Sequence, residues 1–315
     1  MRSSDSSRAD RDAPAQTPRH ETRRVLPARA MLYGLRLAVV VPAYKEERLL
    51  GRMLRRLPAE IDTVWVIDDA SPDATAQVAS SLGDSRVRVL RHRENRGVGA
   101  AIVTGYRAAQ DDHDVLVVMA GDDQMHPGDL PALVAPIAAG LADYVKGNRF
   151  AHPEAYRMPW LRRLGGEVLS FATRLSTGLR VTDCQCGYTA LSARAARTLP
   201  LEQLWPRFGY PNDLLGMLAS RQLRVQQVPV LPVYADEQSG LRPYHVAQIL
   251  GLIVRRHWIE MRVRREMPAR SNPASARLGV GLRSQLRWDL DAGIESAAHV
   301  PVLDVTAPRI VDLPE

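Results

Sequence analysis

Residues 115–127 read VLVVMAGDDQMHP: five apolar residues, a small-residue step, two adjacent aspartates, a glutamine, then His126 and Pro127. A short unbroken apolar run bounded by turn residues is the pattern of a strand buried on both faces. Two carboxylates side by side at its mouth repel each other, so either a cation sits there or water solvates an ordinary turn. Upstream, residues 37–41 form a similar apolar run that Pro42 ends. RLLGRMLRRLP (48–58) then carries Leu49, Leu50, Met53, Leu54 and Leu57 at helical spacing. TVWVIDD (63–69) reads as a strand and SPDATAQVASSL (71–82) as its helix, with Ser71 or Asp73 able to cap exposed N–H groups. VRVLRH (87–92) is a third strand, and RENRGVGAAIVTGYRAAQ (93–110) opens a small-residue-rich helix. This alternation implies an α/β fold, a mostly parallel sheet with helices on both faces. Ligands of such sheets gather outside the carboxyl ends of the strands. Three polar clusters therefore share one edge: residues 42–47, Asp68 with Asp69, and Asp122 with Asp123 and Gln124.

The chain has 315 residues, enough for one large domain or two modest ones, and its 45% hydrophobic content is that of a globular protein. A net charge of +7 rests almost wholly on arginine, since Lys45 and Lys146 are the only lysines. That balance favours anionic partners without choosing among them. Nucleic acid is disfavoured, because the arginines are scattered and aromatic residues, at 5%, give no stacking platform. Cys184 and Cys186 are one residue apart, a poor spacing for a mutual disulfide, and read as reduced structural thiols of a cytosolic protein. The N-terminal stretch is charged but lacks the apolar core of a signal peptide. No segment approaches the roughly 20 apolar residues that cross a bilayer, so the expected protein is not integral. GVGAAI (97–102) lacks the third small residue of a dinucleotide fingerprint and does not follow the first strand, so NAD binding is rejected.

Eight segments, in order over about two hundred residues, carry a resemblance: VVVPAYKEE, VIDDASPDAT, NRGVGAAIVTGYRAA, VVMAGDDQMHPGDLP, GNRF, TDCQCGYTAL, FGYPNDLL and VPV. Together they resemble the inverting family 2 glycosyltransferases of GT-A fold, and more narrowly the dolichyl- and polyprenyl-phosphate mannosyl- or glucosyltransferases. The resemblance implies that Pro42, Tyr44 and Glu46 line a nucleotide pocket, with Ile67 and Asp69 at the base or ribose edge. Ala120, Gly121 and Asp122 occupy the place of the family's Asp-x-Asp signature, and Asp122 with Gln124 would hold Mg²⁺ or Mn²⁺ against the donor pyrophosphate. Ala120 departs from the pattern by removing one carboxylate, which weakens the metal site or marks a non-catalytic copy. Asp123 reads as a solvated turn residue.

TDCQCGYTAL follows a helix expected over residues 160–177 and resembles the segment with the family's acceptor-side aspartate, here Asp183. FGYPNDLL resembles the segment where many members place a base; Asp213 is that base or a carboxylate complementing the helix dipole. Arg149, in GNRF, matches an arginine used near the donor diphosphate or acceptor phosphate. In YADEQSGLRPY (234–244) Gly240 stands where some relatives carry lysine, leaving Arg242 as a substitute in a donor-closing loop.

In HVAQILGLIVRRHWIEMRVRRE (245–266), Val246, Ile249, Leu250, Ile253, Val254, His257 and Met261 fall on one helical arc, with Arg255 and Arg262 opposite. Such a helix suits an anionic bilayer surface, the alternative being a helix packed on the core. The expected organisation is a disordered basic tail over 1–35, a GT-A domain over 36–236, a loop and interfacial helix over 237–270, and a disordered tail over 271–315. The expected activity is transfer of a hexose, from GDP-mannose or UDP-glucose, to a polyprenyl phosphate with inversion. It would take place in the cytoplasm, peripherally at the inner face of the membrane. A soluble hydroxyl acceptor on the same fold, or a nucleotide-sugar-binding module without turnover, are the alternatives. A sugar-1-phosphate nucleotidyltransferase is set aside, because PAYKEE supplies no glycine-rich phosphate loop.

Overall fold

The computed structural model describes residues 31–233 and 243–266, with side chains of the second segment described over 246–262. The readings of both tails beyond these limits, and of Gly240 and Arg242, lie outside the described residues. Seven strands alternate with helices: β1 (Leu37–Ala43), α1 (Leu50–Arg55), β2 (Thr63–Asp68), α2 (Thr75–Ser80), β3 (Val87–Arg91), α3 (Val98–Ala109), β4 (Val115–Val118) and α4 (Leu130–Ala138) come first. β5 (Tyr144–Asn148), α5 (Trp160–Thr177), β6 (Thr189–Ser192), α6 (Ala193–Thr198), α7 (Tyr210–Ser220), β7 (Val225–Pro229) and α8 (Pro243–Glu266) complete the order. They form one sheet in the order β3-β2-β1-β4-β6-β5-β7. β6 runs antiparallel to both β4 and β5, and every other pairing is parallel. The four strands expected from the apolar runs are all present, although β1 continues through Pro42, which pairs with Ile67, to Ala43; α5 has the bounds expected for it. Strands β5 to β7, at residues 144–148, 189–192 and 225–229, add the half of the sheet that the alternation did not reveal.

β1 is buried along its whole length, and its side chains divide by parity. Leu37, Val39 and Val41 join Val64, Val66, Val115 and Val117 in the core on one face. Ala38 and Val40 join Ile67, Ile102, Tyr106, Leu116 and Val118 on the other. Helix α3 crosses so close to β1 that a Cβ on Gly105 would lie 2.2 Å from a Val40 methyl. Gly97 caps α3 at φ 97°, and a Cβ there would lie 2.4 Å from the Pro206 carbonyl oxygen. A Cβ on Gly99 would likewise lie 2.2 Å from the Trp205 carbonyl oxygen, so the two glycines that mimic a dinucleotide loop are needed for packing against the protein's own chain.

Candidate active site

The carboxyl ends of β1, β2 and β4 share a feature the sequence does not announce. Each runs into a non-glycine residue in the left-handed region: Lys45 (φ 62°), Ala70 (φ 59°) and Asp123 (φ 58°). Such residues carry a steric penalty of roughly 1–2 kcal/mol each and persist where surrounding contacts hold them. Here the loops hold one another. The Lys45 and Glu46 amides donate to Ser71 Oγ (3.1 Å) and Thr75 Oγ1 (2.9 Å), and the Glu47 carboxylate accepts from the Ala74 amide (3.0 Å). The Gly121 amide donates to the Pro42 carbonyl (3.4 Å), and a Cβ on Gly121 would lie 3.4 Å from Glu46 Cγ. Pro42, Glu46, Ala120, Gly121 and Asp122 are therefore gathered as expected. Tyr44 stands exposed beside them with the Lys45 ammonium 5.3 Å from its ring centroid. Ile67 pairs with Pro42 but is fully buried, so it supports the floor of the site from below.

Asp69 is engaged within the protein. It is buried, and its carboxylate accepts from the Arg96 amide (2.9 Å), the Gly97 amide (2.7 Å) and His92 Nδ1 (2.7 Å). Its main work is to tie the end of β2 to the start of α3.

Asp122 Oδ1 accepts from the Gln124 amide at 3.1 Å, fixing the turn after β4. Asp123 corrects the expectation of a solvated turn. It is buried, and its two oxygens meet Arg52 Nε at 2.6 Å and Arg56 Nη1 at 2.9 Å. The two aspartates are thus divided: Arg52 of α1 and Arg56 just past its end neutralise Asp123, while Asp122 keeps to the turn. A cleft of about 460 Å³ opens here, lined by Arg52, Arg56, Asp122, Asp123 and Gln124 among others. With Asp123 committed to arginine and Ala120 offering no oxygen, this loop presents a carboxylate from Asp122 and an amide from Gln124. Among the described residues no cluster of three histidine, cysteine or carboxylate side chains could hold a metal. Two hard oxygens suit Mg²⁺ or Mn²⁺ only when phosphates and water supply the remaining ligands, which is the usual manner for Mg²⁺ on a nucleotide.

The second half of the site is built on β5 and the segment before β6. Asp183 is fully buried and bound bidentately by Arg149, Nε to Oδ2 at 2.8 Å and Nη2 to Oδ1 at 2.9 Å. The Arg149 and Cys186 amides add bonds of 3.1 Å each. Burial pushes the Asp183 carboxyl up, but the Arg149 charge and hydrogen bonds, with Lys146 behind them, hold it below the usual carboxylate range. Lys146 is itself fully buried, donates to the Cys186 carbonyl, and has its ammonium pKa pushed down by burial. Met125 connects the halves: its Sδ lies 3.3 Å from the Ala120 amide, and its Cε would be 3.1 Å from a Cβ on Gly187.

Of the two readings given for Asp213, its position in the first turn of α7 matches the helix-terminal carboxylate. It is fully buried at the start of α7, gripped by Arg256 of α8 (Nε to Oδ1 2.6 Å, Nη2 to Oδ2 2.7 Å) and by the Trp205 amide (2.8 Å). Both of its oxygens are engaged within the protein. Asn212 is buried as well, bonded to Thr173 Oγ1 and Gln185 Nε2. The same clamp divides the arc expected on α8: Ile249 and Ile253 are buried, with Val246 and Leu250 packed against the core, while Val254 and His257 are exposed, and Leu252, Arg256 and Glu260 are buried beside the clamp.

The sequence reading missed Arg52, Arg56 and Lys146. Arginines four apart on one helix, and a lysine in a chain that otherwise uses arginine, were the available signals.

The sequence profile described as Glycosyl transferase family 2 matches residues 38–199. The undecaprenyl-phosphate mannosyltransferase of Micrococcus luteus is 30% identical over 213 residues, covering 65% of this chain and 86% of the relative. The UDP-N-acetylglucosamine–dolichyl-phosphate N-acetylglucosaminyltransferase of Methanococcus voltae is 28% identical over 215 residues, covering 63% and 86%. Among solved structures, glucosyl-3-phosphoglycerate synthase from Mycobacterium tuberculosis, in complex with Mn²⁺, UDP and glucosyl-3-phosphoglycerate, superposes with a TM-score of 0.58. It is 23% identical, and the match covers 71% of this chain and 81% of that one. That likeness shows the GT-A fold.

Proposed function

The chain belongs to glycosyl transferase family 2, and from that premise we propose that it moves a hexose from a nucleotide-diphosphate sugar to a polyprenyl phosphate, with inversion. One observation carries the choice of acceptor. Both acceptor-side carboxylates, Asp183 and Asp213, are buried and bound bidentately to arginines. A hydroxyl acceptor needs a base within hydrogen-bond reach, whereas a phosphate arrives as an anion and needs none. Arg149, held in one orientation by Asp183, is suited to receive that anion, since a guanidinium matches phosphate geometry. The relatives named for undecaprenyl- and dolichyl-phosphate transfer support the same class.

On the donor side, Tyr44 offers an exposed ring for a base or ribose, with Pro42 and Glu46 beside it. Asp122 and Gln124 would hold Mg²⁺ or Mn²⁺ together with the diphosphate, and the ion would stabilise charge on the leaving group. Arg149 orients the acceptor phosphate, and burial of Asp183 and Lys146 beneath it keeps its position independent of solvent. The reaction is placed on the cytoplasmic side of the membrane, where nucleotide sugars and a lipid carrier meet.

The test offers purified full-length protein GDP-mannose and UDP-glucose separately, with Mn²⁺ or EDTA, and with or without a polyprenyl phosphate. The expected result is a lipid-linked sugar from one donor, abolished by EDTA. Transfer to a soluble hydroxyl acceptor with none to the lipid phosphate overturns the proposal.

A further inference from the structure

Helix α5 has its hydrophobicity on the wrong side for a core helix. Its inward face buries one leucine, Leu169, and is otherwise small and polar. A Cβ on Gly166 would lie 3.0 Å from the Phe150 ring, Ser170 Oγ accepts from the Cys184 amide (3.0 Å), and Thr173 Oγ1 accepts from Asn212 Nδ2 (2.7 Å). The outward face carries Trp160, Leu161, Leu164, Val168, Phe171 and Leu175, each between 46% and 78% exposed. From Leu161 to Leu175 their steps of three and four residues place them in one row, with Trp160 at its start, along about 22 Å of helix. Six such side chains together expose apolar area on the order of 500 Å², at the upper end for a monomer, and patches of that size mark interaction surfaces.

We propose that this row is the face by which the protein docks on an anionic lipid bilayer. The charge around it fits that partner. Between Trp160 and Arg180 the chain has Arg162, Arg163, Arg174 and Arg180 against one carboxylate, Glu167, which Arg163 already pairs at 2.9 Å. A helix with Trp, Phe and Leu on one face and arginines at its margins seats about 5–10 Å into the headgroup boundary. Helix α8 extends the surface. His257 Nδ1 meets the Ser176 carbonyl at 2.9 Å, and on that flank Val254 and Trp258 are exposed one helical turn apart. The opposite face of α5 touches the segments that carry Arg149 and Asp183, through Phe150 and Cys184. Docking would therefore bring the anion-binding arginine to the plane of lipid phosphates; to that extent the inference rests on the acceptor proposed above.

The full-length protein is sedimented with vesicles of phosphatidylcholine alone or mixed with phosphatidylglycerol, alongside Leu164→Glu/Phe171→Glu and a control, Leu141→Glu. Leu141 is exposed on the loop after α4, remote in sequence from the row. Wild type and control are expected to pellet with anionic vesicles, and the double variant to partition about 100-fold less, with an unchanged melting curve. Wild type remaining in solution, or the double variant pelleting equally, overturns the inference. So does a wild-type dimer in light scattering that the double variant splits, since the row would then belong to a second copy. Turnover on a short, water-soluble prenyl phosphate separates this from the reading of function. Its retention by the double variant, with loss of transfer to a vesicle-embedded long-chain phosphate, supports both readings. Vesicle binding by wild type without transfer to either acceptor supports the docking face and removes the acceptor.

Discussion

Replacing Asp213 by asparagine separates a structural carboxylate from a catalytic one. The substitution keeps the side chain's shape but leaves Arg256, whose side chain is 3% exposed, without its main counter-charge. Breaking a buried ion pair by removing one partner costs about 3–5 kcal/mol. The lower figure applies here, because Arg256 keeps the Gln203 carbonyl at 2.9 Å and the Glu260 carboxylate at 3.4 Å. For a domain of this size about 3 kcal/mol is a fall of roughly 6–12 °C in Tm. A missing general base would instead lower kcat by about 10²–10⁴-fold. The assay is thermal melting together with initial rates taken at least 15 °C below the variant's midpoint, a margin of about twice the expected shift. The expected outcome is the large Tm loss with kcat within a few-fold of wild type. Adding Arg256→Met should recover part of the stability, since the orphaned charge is then gone. A kcat reduced about 100-fold with an unchanged Tm would refute the clamp and restore Asp213 as the base.

Arg149→Lys keeps the charge but not the fork that grips Asp183, so transfer should fall about 10- to 100-fold, more through KM for the acceptor than for the donor; separate saturation curves for the two substrates check this. Asp183→Asn should destabilise by about 2–3 kcal/mol, less than a fully buried pair because the Arg149 side chain is one-fifth exposed. The folded Asp183 carboxyl sits below its ordinary 3.8, so its contribution is complete above about pH 4 and is lost as pH falls through the folded value. Denaturant melts of wild type and variant should therefore converge in acid and differ fully at neutral pH. Ala120→Asp adds a second carboxylate beside Asp122 and should lower the Mn²⁺ concentration for half-maximal activity by about tenfold, read from a metal titration after EDTA treatment.

The first half of the sheet was legible because parallel strands buried on both faces are written as unbroken apolar runs, and β1, β2 and β4 are such runs. The second half was not. β5 is YVKGN, fully buried although it contains a lysine and an asparagine, and β7 is VQQVP, half-buried at the sheet edge. Neither pattern separates a strand from a loop. The GNRF and TDCQCGYTAL segments were located through resemblance, and their geometry followed from the antiparallel β6 that sits between β4 and β5. Helix α8 misled because an apolar arc looks the same whether protein or lipid covers it. The discriminating residue was Arg256, which a charge count puts on the surface and a partner, Asp213, draws inside.

The acidic residues divide by the arginine that reaches them. Asp68 meets Arg91 at 3.0 Å, Asp123 meets Arg52 and Arg56, Asp143 meets Arg194 and Arg224, Asp183 meets Arg149 and Asp213 meets Arg256. All five are buried carboxylates. Since an unpaired buried charge is prohibitively costly, each needed a cation, and a chain with two lysines supplies guanidinium groups that bind in forks. The polar groups left partly exposed at the strand ends include Tyr44, Glu46, Asp122, Gln124 and Arg149, the ones to which the proposed reaction assigns its chemistry. The left-handed residues at Lys45 and Asp123 stand beside four of those five. Strain kept at the ends of strands, and held there by contacts between the loops and by arginine, is the arrangement expected where function rather than packing selects the backbone.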